Sequence, residues 1–96
     1  TKFKQGMILT NEPGFYKINE YGIRIENVLL VIKQNKFLGF EVLTFVPIDT
    51  KLIDGKLLNI QEKIWINTYH TKVFDKINKF LNKKEVKWLK EKTLPI

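Results

Sequence analysis

Apolar and polar positions alternate with a period of two in the first half of the chain and follow a helical period in the second. Gly6–Thr10 reads as a short strand that runs into the turn Asn11-Glu12-Pro13-Gly14. Proline fixes its own φ and pushes the residue before it toward extended backbone. Glu12 is thus held on a stiff stretch at a strand end. Phe15–Tyr21 reads as a connection or a hairpin loop, with Asn19 and Gly22 as turn residues. Gly22–Lys33 gives the strongest strand pattern. Ile23, Ile25, Asn27, Leu29 and Val31 take one face; Arg24, Glu26, Val28, Leu30 and Ile32 take the other. A face that is charged at one end and aliphatic beyond it predicts a polar site at the end of a sheet. Gln34-Asn35-Lys36 is a turn, and Phe37–Val46, rich in aromatic and β-branched residues, predicts an antiparallel partner strand ended by Pro47.

The period then changes. Ile48–Lys56 is irregular, with Asp54-Gly55 as a turn signal. Asn59 followed by Glu62 has the spacing of a capping box, and Ile66, Tyr69, Val73, Ile77 and Phe80 line one side of a helix predicted over Ile60–Leu81. Asn82 and Glu85 repeat the cap for a shorter helix carrying Val86, Trp88 and Leu89, and Thr93–Ile96 is a tail. The expected fold class is α+β, with antiparallel strands over residues 1–47 and a two-helix extension over residues 48–96.

Composition adds limits. The chain has 96 residues, 44% hydrophobic and 12% aromatic, which suits one folded domain at most with a small core. It has no cysteine, which excludes disulfides and thiolate metal sites and fits a reducing compartment. The apolar runs are too short to span a bilayer. No signal-peptide pattern precedes the first strand, and the absence of an initiator Met suggests a processed chain or, in preference, a piece of a longer protein. The net charge of +7 sits mainly in the second half: residues 1–50 hold six basic and five acidic side chains, residues 51–96 eleven and five. Lys72, Lys76, Lys79 and Lys83 form one helical stripe. A stripe of this kind can meet phosphates, but it has no arginine or stacking aromatic, and a solvated lysine face accounts for it. Trp65 and Trp88 read as core or interface anchors.

Chemistry gathers around Glu12 and Glu26. Converging carboxylates repel unless a cation lies between them or one is protonated, and hard divalent ions favour oxygen ligands. The alternative is local: Glu26 pairs with Arg24 or Lys17, and Glu12 caps a turn. Arg24, the one arginine beside sixteen lysines, shares a strand face with Glu26 and can orient it or bind a substrate carbonyl. Tyr16 can bring a hydroxyl to the same place or pack at the rim. His70, mid-helix and without a ligand-type residue three or four positions on, reads as a structural or surface histidine.

The ordered series GMILTNEPGFY, YGIRIENVLLV and FEVLTFVPIDTKLID, with WINTYH and WLKEKTLPI after it, resembles the carboxyl-terminal end of cytosolic-type Xaa-Pro aminopeptidases (aminopeptidase P). The resemblance covers essentially the whole chain. It implies the pita-bread fold and two divalent ions, usually Mn²⁺, held by two Asp, one His and two Glu. It implies hydrolysis of the bond between an N-terminal residue and a following proline. Glu12 then matches a metal ligand that also takes part in proton transfer, Glu26 a ligand bridging the ions, and Arg24 and Tyr16 supporting positions around them. The Asp and His ligands of that family precede the Asn-Glu-Pro-Gly motif. Asp49, Asp54 and His70 follow it in the wrong motifs, so the chain is expected to be an inactive fragment by itself. The resemblance further implies a peptide substrate with a penultimate proline, a homodimer and a cytoplasmic location, with no nucleic-acid or membrane partner and no organic cofactor. The remaining alternatives are an interaction or dimerisation module without catalysis and a basic nucleic-acid-binding module.

Overall fold

A computed structural model describes residues 1–96. The chain forms two compact units, Thr1–Thr44 and Phe45–Ile96.

The first unit is antiparallel. Its strands are β1 (Ile8–Asn11), β2 (Gly14–Lys17), β3 (Tyr21–Arg24), β4 (Asn27–Gln34) and β5 (Phe37–Val42). β4 is central, between β1 and β5, while β2 and β3 pair with each other. Val31 on β4 is fully buried, as a central aliphatic position should be. Residues Gln34 and Phe37 close the β4–β5 hairpin, and Asn35 takes a φ of 56° in the turn, a conformation asparagine tolerates better than most residues.

Five expectations need correction here. Asn11-Glu12-Pro13-Gly14 is not a turn: Asn11 ends β1, Gly14 begins β2, and both face the opposite strands in one continuous register. Of the two readings of Phe15–Tyr21 the hairpin is the one that forms, but it is mostly strand: Gly14–Lys17 is β2, turned back by Ile18-Asn19-Glu20 with Asn19 at φ 59°. Gly22 lies within β3 rather than in the turn. The long strand predicted over Gly22–Lys33 is interrupted at Ile25-Glu26, because the residue facing Ile25 is a proline with no N–H to donate to it. The β5 strand ends at Val42 rather than Val46. There the Thr44 hydroxyl, not a backbone carbonyl, accepts the Val28 N–H at 2.8 Å, and the ladder peels apart.

The second unit is helical. α1 spans Ile60–Ile77, a single 3-10 turn follows over Asn78–Phe80, and α2 spans Lys83–Lys92. Both predicted capping boxes form. Asn59 accepts from the Glu62 N–H at 2.9 Å and Glu62 accepts from the Asn59 N–H at 2.8 Å; Asn82 and Glu85 do the same at 3.0 and 2.9 Å. Ile66, Tyr69, Val73 and Leu89 are buried. Phe80, expected on the apolar side, is exposed, because the 3-10 turn ends the α-helical period before it. Trp65 and Trp88 are about half exposed, at 48% and 52%, so neither is a core residue of this unit; Trp65 stacks on Tyr69.

α1 also holds the segment that leads into its unit. The Tyr69 hydroxyl donates to the Val46 carbonyl at 2.7 Å, and the Ile48 N–H donates to His70 Nε2 at 3.0 Å. His70 is therefore a structural residue, and fully buried rather than on the surface. At the other end, the Ile96 N–H donates to the Asn67 side chain at 2.8 Å.

Candidate functional site

The register of the first unit brings the two carboxylates together. β1 pairs Asn11 with Asn27, and β2 pairs Gly14 with Arg24. Three steps along one strand match three along the other, so the register passes through the interruption without a slip. Pro13 then faces Ile25, and the Ile25 N–H does donate to the Pro13 carbonyl at 3.2 Å. Glu12 faces Glu26.

The type of pairing follows from the neighbouring bonds. Val31 N–H donates to Met7 O at 2.8 Å, and Ile25 N–H to Pro13 O. The hydrogen-bonded pairs of an antiparallel ladder alternate with non-hydrogen-bonded ones. Counting outward from Pro13 and Ile25, Glu12 and Glu26 form a non-hydrogen-bonded pair. At such pairs facing Cα atoms stand about 4.5 Å apart and the side chains approach most closely. Like charges in this arrangement destabilise a sheet unless something offsets them.

Alternation places four of the residues singled out in the sequence on one face. Glu12 and Tyr16 lie four pairs apart on one strand of the ladder, with Gly14 between them on the same face; Glu26 and Arg24 lie on the facing strand, with Gly22 beyond. Arg24 Nε lies 3.4 Å from Glu26 Oε2, so the local ion pair considered for Glu26 does form. Lys17 pairs with Glu20 instead, at 2.9 Å. Glu12 caps nothing: its side chain makes no hydrogen bond or ion pair. The pair therefore carries two negative charges and one adjacent positive group, which leaves it suited to a further cation.

That donor set fits hard divalent ions in kind, since both ligands are carboxylates. It does not complete a shell. No group of three or more His, Cys, Asp or Glu side chains in the chain could hold an ion. His70 is committed to Ile48, and its burial holds the imidazole below its ordinary pKa. Sequence reasoning named the four residues of the face. It missed Gly14 and Gly22 as parts of it, although their spacing from Tyr16 on alternating strands was the available signal.

Two glutamates opposed across an antiparallel ladder, followed by a helical unit with two capped helices, are the features to compare with known proteins. Residues 36–96 match the pattern described as "C-terminal region of peptidase_M24", and residues 1–33 match "Metallopeptidase family M24". The chain belongs to this family. It is 46% identical over its whole length to the "Probable Xaa-Pro aminopeptidase P" of Coprinopsis cinerea, covering 17% of that protein. It is 43% identical, again over its whole length, to "Aminopeptidase P2" of Arabidopsis thaliana, covering 15% of it. Among solved structures, the X-prolyl aminopeptidase of Caenorhabditis elegans matches 98% of the chain with a TM-score of 0.88 and 38% identity, over 17% of its own length. That protein is described as a cytosolic enzyme with a di-nuclear active site. The fold is thus the α+β terminal portion of the pita-bread fold, and the chain spans about a sixth of the length of the curated relatives it matches.

Proposed function

We propose that the protein carrying this chain is a dinuclear metal-dependent aminopeptidase that hydrolyses the bond between an N-terminal residue and a penultimate proline. The observation that carries the reading is the cross-strand opposition of Glu12 and Glu26 on a face shared with Arg24 and Tyr16, in a chain of this family. In this reading Glu12 and Glu26 would help hold two divalent ions, Mn²⁺ in the first instance. The other ligands come from outside these 96 residues. When bound, the ions polarise the scissile carbonyl and bring a water into its reactive form.

The chain's own residues then have separate tasks. The Glu12 carboxylate, free of any internal partner, is available both to bind an ion and to take up a proton during the reaction. Arg24 holds one oxygen of Glu26 and so limits the directions in which that carboxylate can bind. Pro13 and the paired strands keep the two carboxylates apart from solvent-driven rearrangement by fixing the backbone on which both stand. The substrate is a peptide with a penultimate proline, the assembly a homodimer and the location cytoplasmic. The lack of cysteine and the description of the nematode relative support the location.

The test uses the full-length protein with Mn²⁺ and a short Xaa-Pro peptide. Glu26→Ala should reduce kcat/KM by at least about a hundredfold and lower the amount of Mn²⁺ bound. Full activity in that variant would overturn the proposal.

A further inference from the structure

Two glycines on the carboxylate face have no backbone reason to be glycine. Gly14 and Gly22 both lie in strands, and neither has a positive φ; Gly6 is the one glycine that does. What excludes a side chain at both is Tyr16. A Cβ at Gly22 would lie 2.6 Å from Tyr16 Cδ1, and a Cβ at Gly14 would lie 2.6 Å from the Tyr16 hydroxyl oxygen and 2.9 Å from Cε2 and Cζ. Gly22 faces Tyr16 across the hairpin, and Gly14 precedes it by two residues on the same face. The phenol ring thus starts over Gly22 and runs back along the face, ending with its hydroxyl over Gly14. The next position on that face in the same direction is Glu12, opposite Glu26.

We propose that Gly14 and Gly22 are positioning residues: they form a side-chain-free slot that lays the Tyr16 ring flat on the strands and delivers its hydroxyl to the edge of the Glu12–Glu26 pair. The slot deepens the metal-site reading and rests on it. The hydroxyl is the neutral donor on the Gly14 side of the pair, with the Thr10 hydroxyl on the other side, and a donor beside a ligating carboxylate fixes its orientation. The competing explanation is that the ring merely covers glycine backbone in a strand pair, where an aromatic restores lost packing. That role needs the ring but not the hydroxyl.

The two roles separate in the full-length protein. Tyr16→Phe keeps the ring and removes the hydroxyl. Gly14→Ala and Gly22→Ala keep the hydroxyl but place a methyl where it or the ring now lies. All three should weaken Mn²⁺ binding, measured by calorimetry, by about tenfold and lower kcat with little change in KM, while the melting temperature of Tyr16→Phe stays near that of the parent. Gly22→Ala added to Tyr16→Phe should cost little more than Tyr16→Phe alone, because both remove the same hydroxyl from the same place. If Gly22→Ala does not fold, Gly14→Ala carries the test, since it meets only the mobile end of the ring. Unchanged Mn²⁺ affinity in Tyr16→Phe, or in Gly14→Ala, would overturn the proposal. Glu26→Ala in the same series tells the two readings apart: if it too binds Mn²⁺ like the parent, the metal site falls, and not the slot alone.

Discussion

At the scale of single residues, the chain places its polar groups in two settings with opposite consequences. Glu12 and Glu26 stay accessible and opposed, which suits ligands. His70 is sealed, with Nε2 taken by the Ile48 N–H and Nδ1 without a partner. An accepting Nε2 requires the neutral ring, and burial pushes the pKa below its ordinary value of 6.5. The unfolded chain therefore takes up the proton more readily than the folded one. His70 supports the fold fully above the ordinary histidine pKa, and that support is lost as pH falls toward the lower folded value. The melting temperature should drop as pH is lowered through and below the ordinary histidine pKa of 6.5, and the drop should shrink in His70→Gln. An equal drop in both proteins would rule this explanation out. The sequence marked His70 as a structural or surface residue because no second ligand stood at helical spacing. It did not reveal the burial, since Ile48 reaches it from 22 residues away.

At the scale of elements, legibility followed how local the cause was. Both helices were readable to their first residue, because a capping box is decided within four positions. Asn59→Ala should therefore lower stability by about 1 kcal/mol, read from urea unfolding, and Asn59→Asp by much less. A loss of the same size in Asn59→Asp would mean that the amide does something other than cap. The helix end was overrun because nothing in the sequence marks the change to a 3-10 turn before Phe80. The strands were readable by type but not by length. β2 was missed since Gly14 and Gly22 lower the apparent β-propensity of a hairpin whose glycines serve Tyr16. The break at Ile25-Glu26 was missed since its cause, Pro13, lies on the facing strand. In Pro13→Ala the new N–H can donate to Ile25 and close the ladder, and Glu12 loses the restriction a following proline imposes. Amide exchange across Glu12–Ile25 should slow in that variant; unchanged exchange would show that proline does not cause the interruption.

At the scale of the whole molecule, the chain offers half of a chemistry. Its face carries two carboxylates and no third ligand, so the 96-residue chain with Mn²⁺ should bind the ion weakly and should not turn over an Xaa-Pro peptide. Turnover by the purified chain would contradict the proposed need for outside ligands. Exposed Phe15, Tyr21 and Ile23 on the face opposite Glu12 fit the same picture of a piece built to be covered. Sequence alone determined the fold class, the two capped helices, the β4–β5 hairpin and the four residues that share the carboxylate face. These depend on alternation, caps and an ordered run of motifs, which are properties of neighbouring positions. Only the tertiary structure decided that Glu12 meets Glu26 at a close, non-hydrogen-bonded pair, that two glycines hold Tyr16, and that His70 is locked to Ile48. Each of those depends on register or on contact between distant segments, and strand register is set by which residues face each other, which no single stretch of sequence contains.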